Sequence, residues 1–254
     1  MYPTIQMPFE FTPFSVMSKT EAKEYYEWFL SIIPRRIETL QGYVESSGSL
    51  VQLDLTQDSL ISLWGWFISR IEQRKLTSEE MNEELELVAH WRRPEVKENV
   101  LKFSKDTENQ IIDIGIYFST VLLHSSNQLK WMVIHKPRNH VDVNQPVLAG
   151  TGKIRLNPIR VVDVCAARAL NDAGNINMLS NLYVVVTVRG KECPNCEGDE
   201  MRYLLTEELS AKNSRKSILE CNSCGWTENL DGSVWSGEQV RIMPMTTTEL
   251  ENLN

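Results

Sequence analysis

Two C-x-x-C pairs constrain this chain more than any other feature. Cys193-Pro194-Asn195-Cys196 and Cys221-Asn222-Ser223-Cys224 are separated by 24 residues. Each pair puts two thiols on one tight turn, and two such turns brought together form a tetrahedral four-sulfur cage of the geometry and softness that zinc prefers. The separation slightly exceeds the usual window for this pattern, which a longer hairpin between the turns accommodates. Cys193, Cys196, Cys221 and Cys224 are therefore the expected ligands of a structural Zn²⁺. Cys193 and Cys196 alone would also suit a dithiol redox couple. The second pair argues against it, because thiolates held by a metal are not free to attack a disulfide.

The fifth cysteine, Cys165, sits in the apolar run Val161–Ala167 and reads as a buried, inert helix residue. Paired cysteines behind an N-terminus without a basic and then apolar leader point to a reducing, cytoplasmic setting. No apolar stretch approaches the roughly 18 residues that would cross a bilayer, so no membrane partner is expected. Net charge is −8. Fifteen basic and 20 acidic residues precede Thr151, and 11 and 14 follow, so the acidity is spread as −5 and −3. From Gly190 onward there are 6 basic and 12 acidic residues, a balance that opposes binding to a phosphate backbone. The one basic cluster is Lys212, Arg215 and Lys216, between the two cysteine turns.

Periodicity describes the rest as a mostly helical body. Ser18 and Glu21 match a capping box, and Ala22, Tyr25, Phe29, Ile32 and Ile33 follow on one helical face. Pro34 is expected to end or kink this helix, with a second helical stretch over Ile37, Leu40 and Val44. Val51 to Leu55 alternates like a short strand or extended arm. Thr56 caps an amphipathic helix through Leu60, Leu63, Trp64, Phe67, Ile68 and Ile71, which reads as core packing. An acidic helix opens at Thr77 or Ser78. Another covers Ser104 to Leu123, and Gly115 within it costs about 1 kcal/mol against Ala, which close packing against a neighbour would offset. Asp113 in the same helix is expected to pair with Arg or Lys, lowering its pKa.

Leu129 to Ile134 and Pro146 to Ala149 read as partner strands across a turn-rich segment. Asn157 and Pro158 open a helix ending near Leu170. Met178 to Val188 is expected to start as a helix and give way to a strand. The fold class is α+β: residues 1–189 form a mostly helical body with a small antiparallel sheet, and residues 190–254 form a C-terminal β module with a frayed tail from Met245.

Catalytic signatures are sparse. H-E-x-x-H, the zinc-deaminase pattern, G-x-S-x-G and G-x-G-x-x-G do not occur. Gly150-Thr151-Gly152-Lys153 lacks the first glycine and the hydroxyl residue of a phosphate loop. His135, His140 and Asp142 share one loop with Asn144, where an acid/base site or a merely polar hairpin are both open readings.

Cys193 to about Ile242, with the knuckle Cys221-x-x-Cys224-Gly225-Trp226, resembles a zinc ribbon. Such modules serve as nucleic-acid grips, protein docks or passive staples. Residues 8 to about 188 resemble a family of uncharacterised bacterial proteins. The matching features are Phe14 with Met17-Ser18-Lys19, Leu63-Trp64 with Trp66-Phe67, Asp113 to Phe118, Lys136-Pro137, Val143 to Leu148 and Leu156-Asn157-Pro158. The ribbon stands outside that family's usual body. The resemblance carries no catalytic residue; it is similar in character to bacterial immunity or conflict proteins, and so implies a non-enzymatic protein that binds another protein. The alternative is a nucleic-acid-binding regulator with Lys212, Arg215 and Lys216 as phosphate contacts and Trp226 or Trp235 as stacking surface.

Overall fold

A computed structural model describes residues 1–88, 90–94, 101–150, 155–171, 174–188, 193–197, 201–208, 215–229 and 240–244. The class is α+β with a C-terminal module. Packing divides the chain into two compact units. The first is Met1–Val121, Met132–Val147 and Asn157–Ser180; the second is Leu122–Trp131, Leu148–Leu156 and Asn181–Asn254. The boundary expected near Arg189 and Gly190 falls outside the described residues, as does the tail from Met245.

In the first unit, α1 (Lys19–Ser46) opens on the expected capping box: Glu21 N–H donates to Ser18 Oγ, and the Glu21 carboxylate accepts from Ser18 N–H at 2.8 Å. It then runs unbroken for 28 residues through Pro34. The two helices expected on either side of Pro34 are one. An internal proline costs roughly 3 kcal/mol, but Pro34 lies on the exposed face, where water can serve the carbonyl it leaves unpaired. Phe29 before it and Arg36, Leu40 and Val44 after it are all buried, so tertiary packing holds both halves in one line.

Val51 to Leu55 is the extended arm and not a strand. Instead of a neighbouring strand, the side chain of Gln41 pairs with it, accepting from Leu53 N–H at 2.8 Å and donating to Val51 C=O at 3.3 Å. Helix α2 (Gln57–Ile68), capped by Thr56, inserts Leu60, Leu63, Trp64 and Phe67 into the core at zero exposure. It stops before Ile71. A two-stranded antiparallel pair that periodicity did not reveal joins β1 (Gln73–Lys75) to β2 (Leu101–Phe103). Between them α3 (Ser78–Leu87) begins at the Thr77/Glu80 capping box. Glu80 also receives Arg74 at 2.5 Å and Lys102 at 2.8 Å. Hydrogen bonds from Arg74, Lys102 and the Thr77 backbone hold its carboxyl well below the usual range.

The long helix α4 (Lys105–Ser125) buries Ile111, Ile114, Phe118, Val121 and Leu122. Asp113 is fully buried and accepts two hydrogen bonds from Arg36, both at 2.7 Å, and a short one from the Tyr2 hydroxyl. The basic partner was expected; the pKa direction was not. Burial raises the Asp113 carboxyl above its ordinary value, outweighing the lowering by Arg36 and Tyr2. Removing one partner from a buried pair of this kind costs about 3–5 kcal/mol, because the other charge is left uncompensated.

A three-stranded sheet has the order β3-β4-β5, where β3 is Lys130–Val133, β4 is Pro146–Ala149 and β5 is Arg155–Leu156. The pairing of β4 and β5 sets Leu148 opposite Leu156. Helix α5 (Pro158–Ala169) starts as expected, with Asn157 Oδ1 accepting from Arg160 N–H. Its second residue, Ile159, meets α4 at Gly115. A Cβ added at Gly115 would lie 2.8 Å from Ile159 Cα and 3.0 Å from its nitrogen.

Helix α6 (Met178–Val188) is helical to its end, correcting the expected change to strand. The β-branched run adopts this form because Val184 and Val186 turn into packed surroundings at 6% and 8% exposure. Thr187 Oγ1 also bonds back to the Tyr183 carbonyl at 2.9 Å. In the second unit the sheet order is β8-β7-β6-β9, all antiparallel: β6 (Met201–Glu208), β7 (Arg215–Cys221), β8 (Thr227–Asn229) and β9 (Val240–Pro244).

The contact at Gly115 is backbone against backbone, which repacking cannot relieve. Gly115→Ala should lower unfolding free energy by about 1–3 kcal/mol despite its better helix propensity. Urea denaturation checks this; an unchanged or raised midpoint contradicts it.

Candidate metal centre

Each cysteine pair sits on a turn closed by its own backbone. Glu197 N–H donates to the Cys193 carbonyl at 2.9 Å, and Gly225 N–H donates to the Cys221 carbonyl at 2.8 Å. The closing residue is left-handed in both, with φ of 57° at Glu197 and 74° at Gly225. Sequence reading identified the glycine of the second turn but not the glutamate at the equivalent place in the first. Cys221 N–H then donates to the Trp226 carbonyl at 2.8 Å, tying the second turn to the hairpin. The register of β6 and β7 brings Met201 opposite Cys221, so the hairpin delivers the two turns to one place.

All four Sγ atoms lie within 4.8 Å of one another. Cys193 Sγ is 3.6 Å from Cys224 Sγ, and Cys196 Sγ is 3.6 Å from Cys221 Sγ. A disulfide would need about 2.05 Å. A tetrahedron of sulfurs around zinc at about 2.3 Å has an edge of about 3.8 Å. The donor set therefore fits a divalent ion and no oxidised pairing.

The centre is asymmetric in depth. Cys193 and Cys221 are each 1% exposed, whereas Cys196 and Cys224 face solvent. The inner pair packs with Val184, Met201 and Leu219, flanked by Tyr183 and Trp226. Local dipoles favour the thiolate form that metals bind. The Asn195 side-chain amide, 3.5 Å from Cys224 Sγ, leads the lowering of that thiol to about 6, helped by the Trp226 backbone N–H. At Cys221 burial pushes the other way but is outweighed by the Cys224 and Ser223 amides, and the thiol is lowered. Asn195 was not singled out from sequence; its place inside a C-x-x-C turn was the available signal. Cys165, by contrast, is buried and pushed up to about 12 by that burial, so its thiol is inert.

Other candidate residues take different places. Lys212 and Trp235 lie outside the described residues, as do Thr151 to Lys153. Arg215 and Lys216 open β7, opposite Glu207 and Thr206. Trp226 is half-buried against the metal-side core, and its indole N–H is enclosed without a hydrogen-bond partner among the described residues. The structure does bring His135, His140 and Asp142 to one loop, and each is engaged. His135 Nδ1 bonds Asn144 Oδ1 at 2.9 Å, and His140 Nδ1 accepts from Asp142 N–H at 3.0 Å. Asp142 is buried and accepts from Asn157 and Arg160, both at 2.9 Å. Asn144 donates to the carbonyls of Phe14 and Met17, fastening the loop to the segment before α1. These contacts hold the loop in place through Nδ1 of each histidine and both carboxylate oxygens of Asp142.

Among the described residues no helix is long and apolar enough to cross a membrane. No protein family, curated protein or solved structure significantly matches the chain.

Purified protein should carry one zinc per chain by elemental analysis. A strong chelator should expose Cys193 and Cys221 to thiol reagents and remove the structure of the C-terminal module, leaving most helical signal intact. Structural zinc contributes about 10–16 kcal/mol in small peptides, more than a core of this size supplies alone. Retention of the module without metal contradicts the assignment. The two left-handed positions make a paired test. Gly225→Ala should cost about 1–2 kcal/mol of strain, whereas Glu197→Gly should be neutral or stabilising. Chelator competition and thermal melts read both.

Proposed function

We propose that the chain is a cytoplasmic, non-catalytic protein-binding protein, of the kind found in bacterial immunity or conflict systems, whose C-terminal module is a structural zinc ribbon. The observation that carries this reading is the closed set of four thiols. Four thiolates fill a tetrahedral zinc, so no position remains for a substrate or an activated water. Asp142, whose two carboxylate oxygens are taken by Asn157 and Arg160, supports the same reading, since a general base needs a free reacting atom. The ribbon then acts as a staple or docking surface for a partner protein.

Nucleic acid is the competing partner. In its favour stand Arg215 and Lys216, adjacent at the start of β7, with Lys212 nearby in sequence. Against it stand the 12 acidic residues that share this region with 6 basic ones. Affinity purification of the tagged full chain from its native cells, followed by mass spectrometry and reconstitution from pure components, separates the two. A defined protein partner rebuilt at fixed stoichiometry supports the proposal. Recovery of the chain alone, or salt-sensitive binding to DNA or RNA that Lys212→Ala, Arg215→Ala and Lys216→Ala together abolish, overturns it.

A further inference from the structure

A cleft of about 600 Å³ opens in the first unit, lined by the segment before α1 and by residues of α1, α4 and α5. That size lies within the range of about 300–1,000 Å³ typical of small-molecule sites. One wall is aromatic: Phe11, Phe14, Tyr25 and Trp28 line it. Tyr25 is the hub, with ring centres 4.9 Å from Phe14, 5.3 Å from Trp28 and 6.0 Å from Phe11. The Phe14 and Phe11 contacts are edge-on. Burial holds the Tyr25 hydroxyl near 12, so it stays neutral.

The charged residues of the lining decide what the cleft prefers. Lys105 is paired with Glu108 at 2.8 Å, and Arg160 with Asp142 at 2.9 Å. Both cations are thus already neutralised. Asp163, exposed on α5 at the rim, makes no ion pair or hydrogen bond with the described residues. Partial burial and the like charge of Glu108 push its carboxyl up, the response of a carboxylate that lacks a counter-ion. An anion entering here would meet the unpaired Asp163, while Lys105 and Arg160 already have carboxylate partners. A cation would meet a carboxylate without a counter-ion in a cleft that aromatic rings, which attract positive charge, also line.

We propose that this cleft binds a small organic cation, an ammonium or guanidinium on an apolar body, with Asp163 as counter-charge and the Tyr25–Trp28 cluster as its wall. The site is independent of the metal centre and is not needed for the partner-binding reading above.

The test uses the full-length, metal-loaded protein and three probes of similar size: benzyltrimethylammonium, neutral benzyl alcohol and anionic benzoate, titrated by calorimetry and by NMR shift. The ammonium should bind at least about tenfold more tightly than either comparator. Asp163→Asn changes an exposed side chain and should fold normally, as circular dichroism would verify. It should weaken the ammonium by about tenfold and leave benzyl alcohol unchanged. Trp28→Ala should weaken both. Benzoate or benzyl alcohol binding as tightly as the ammonium overturns the proposal. So does an ammonium affinity indifferent to Asp163→Asn, or no binding of the ammonium up to about 10 mM.

Discussion

Convergence of four sulfur atoms within 4.8 Å is the constraint on which the C-terminal module rests. Four thiols that close repel one another as they ionise, and the Asn195 amide and turn backbone work against this by lowering the Cys224 and Cys221 thiols. A divalent ion at the centre turns that mutual repulsion into attraction. The local core around it is small: Val184, Met201 and Leu219 with two flanking aromatics. An ion bound there would act on the same side chains as the hydrophobic packing, since Cys193 and Cys221 belong to both groups.

The first unit depends on a different kind of contact. Arg36 from α1, Asp113 from α4 and Tyr2 from the chain start meet in a fully desolvated cluster. Arg36 also donates to the Pro3 carbonyl at 3.0 Å, and Tyr2 N–H donates to Asp106 at 2.8 Å. Such a cluster adds little net stability over a well-packed apolar one, but it admits one register of α1 against α4. It also fixes the path of the segment that forms part of the aromatic cleft.

Much of this was legible in local sequence because local physics produces it. Ser18 with Glu21, Thr77 with Glu80, and Asn157 with Pro158 each satisfy helix amides within one turn, and all three helices begin there. Gly115 announced a close approach, though not that Ile159 would be the neighbour. The cysteine spacing announced the metal centre but not Asn195 or Glu197. What was missed depends on distant contacts. Pro34 stays helical because residues on both sides are buried, and Val184 to Val188 stays helical because its surroundings are packed. The strands at Gln73 and Leu101 are three residues each and pair across an intervening helix, so neither has a period long enough to read. The Asp113 carboxyl rises where charge pairing alone predicts a fall, because desolvation is a property of the whole core.

The depth difference among the four cysteines has a consequence for how the centre ages. Cys193 and Cys221 are sealed beneath side chains, while Cys196 and Cys224 stand at the outer edge, one from each turn. An electrophile, a competing chelator or a peroxide arriving from solvent encounters that edge first. An ion held there would therefore have one exposed and one enclosed sulfur on each turn, Cys196 and Cys224 being the pair open to attack.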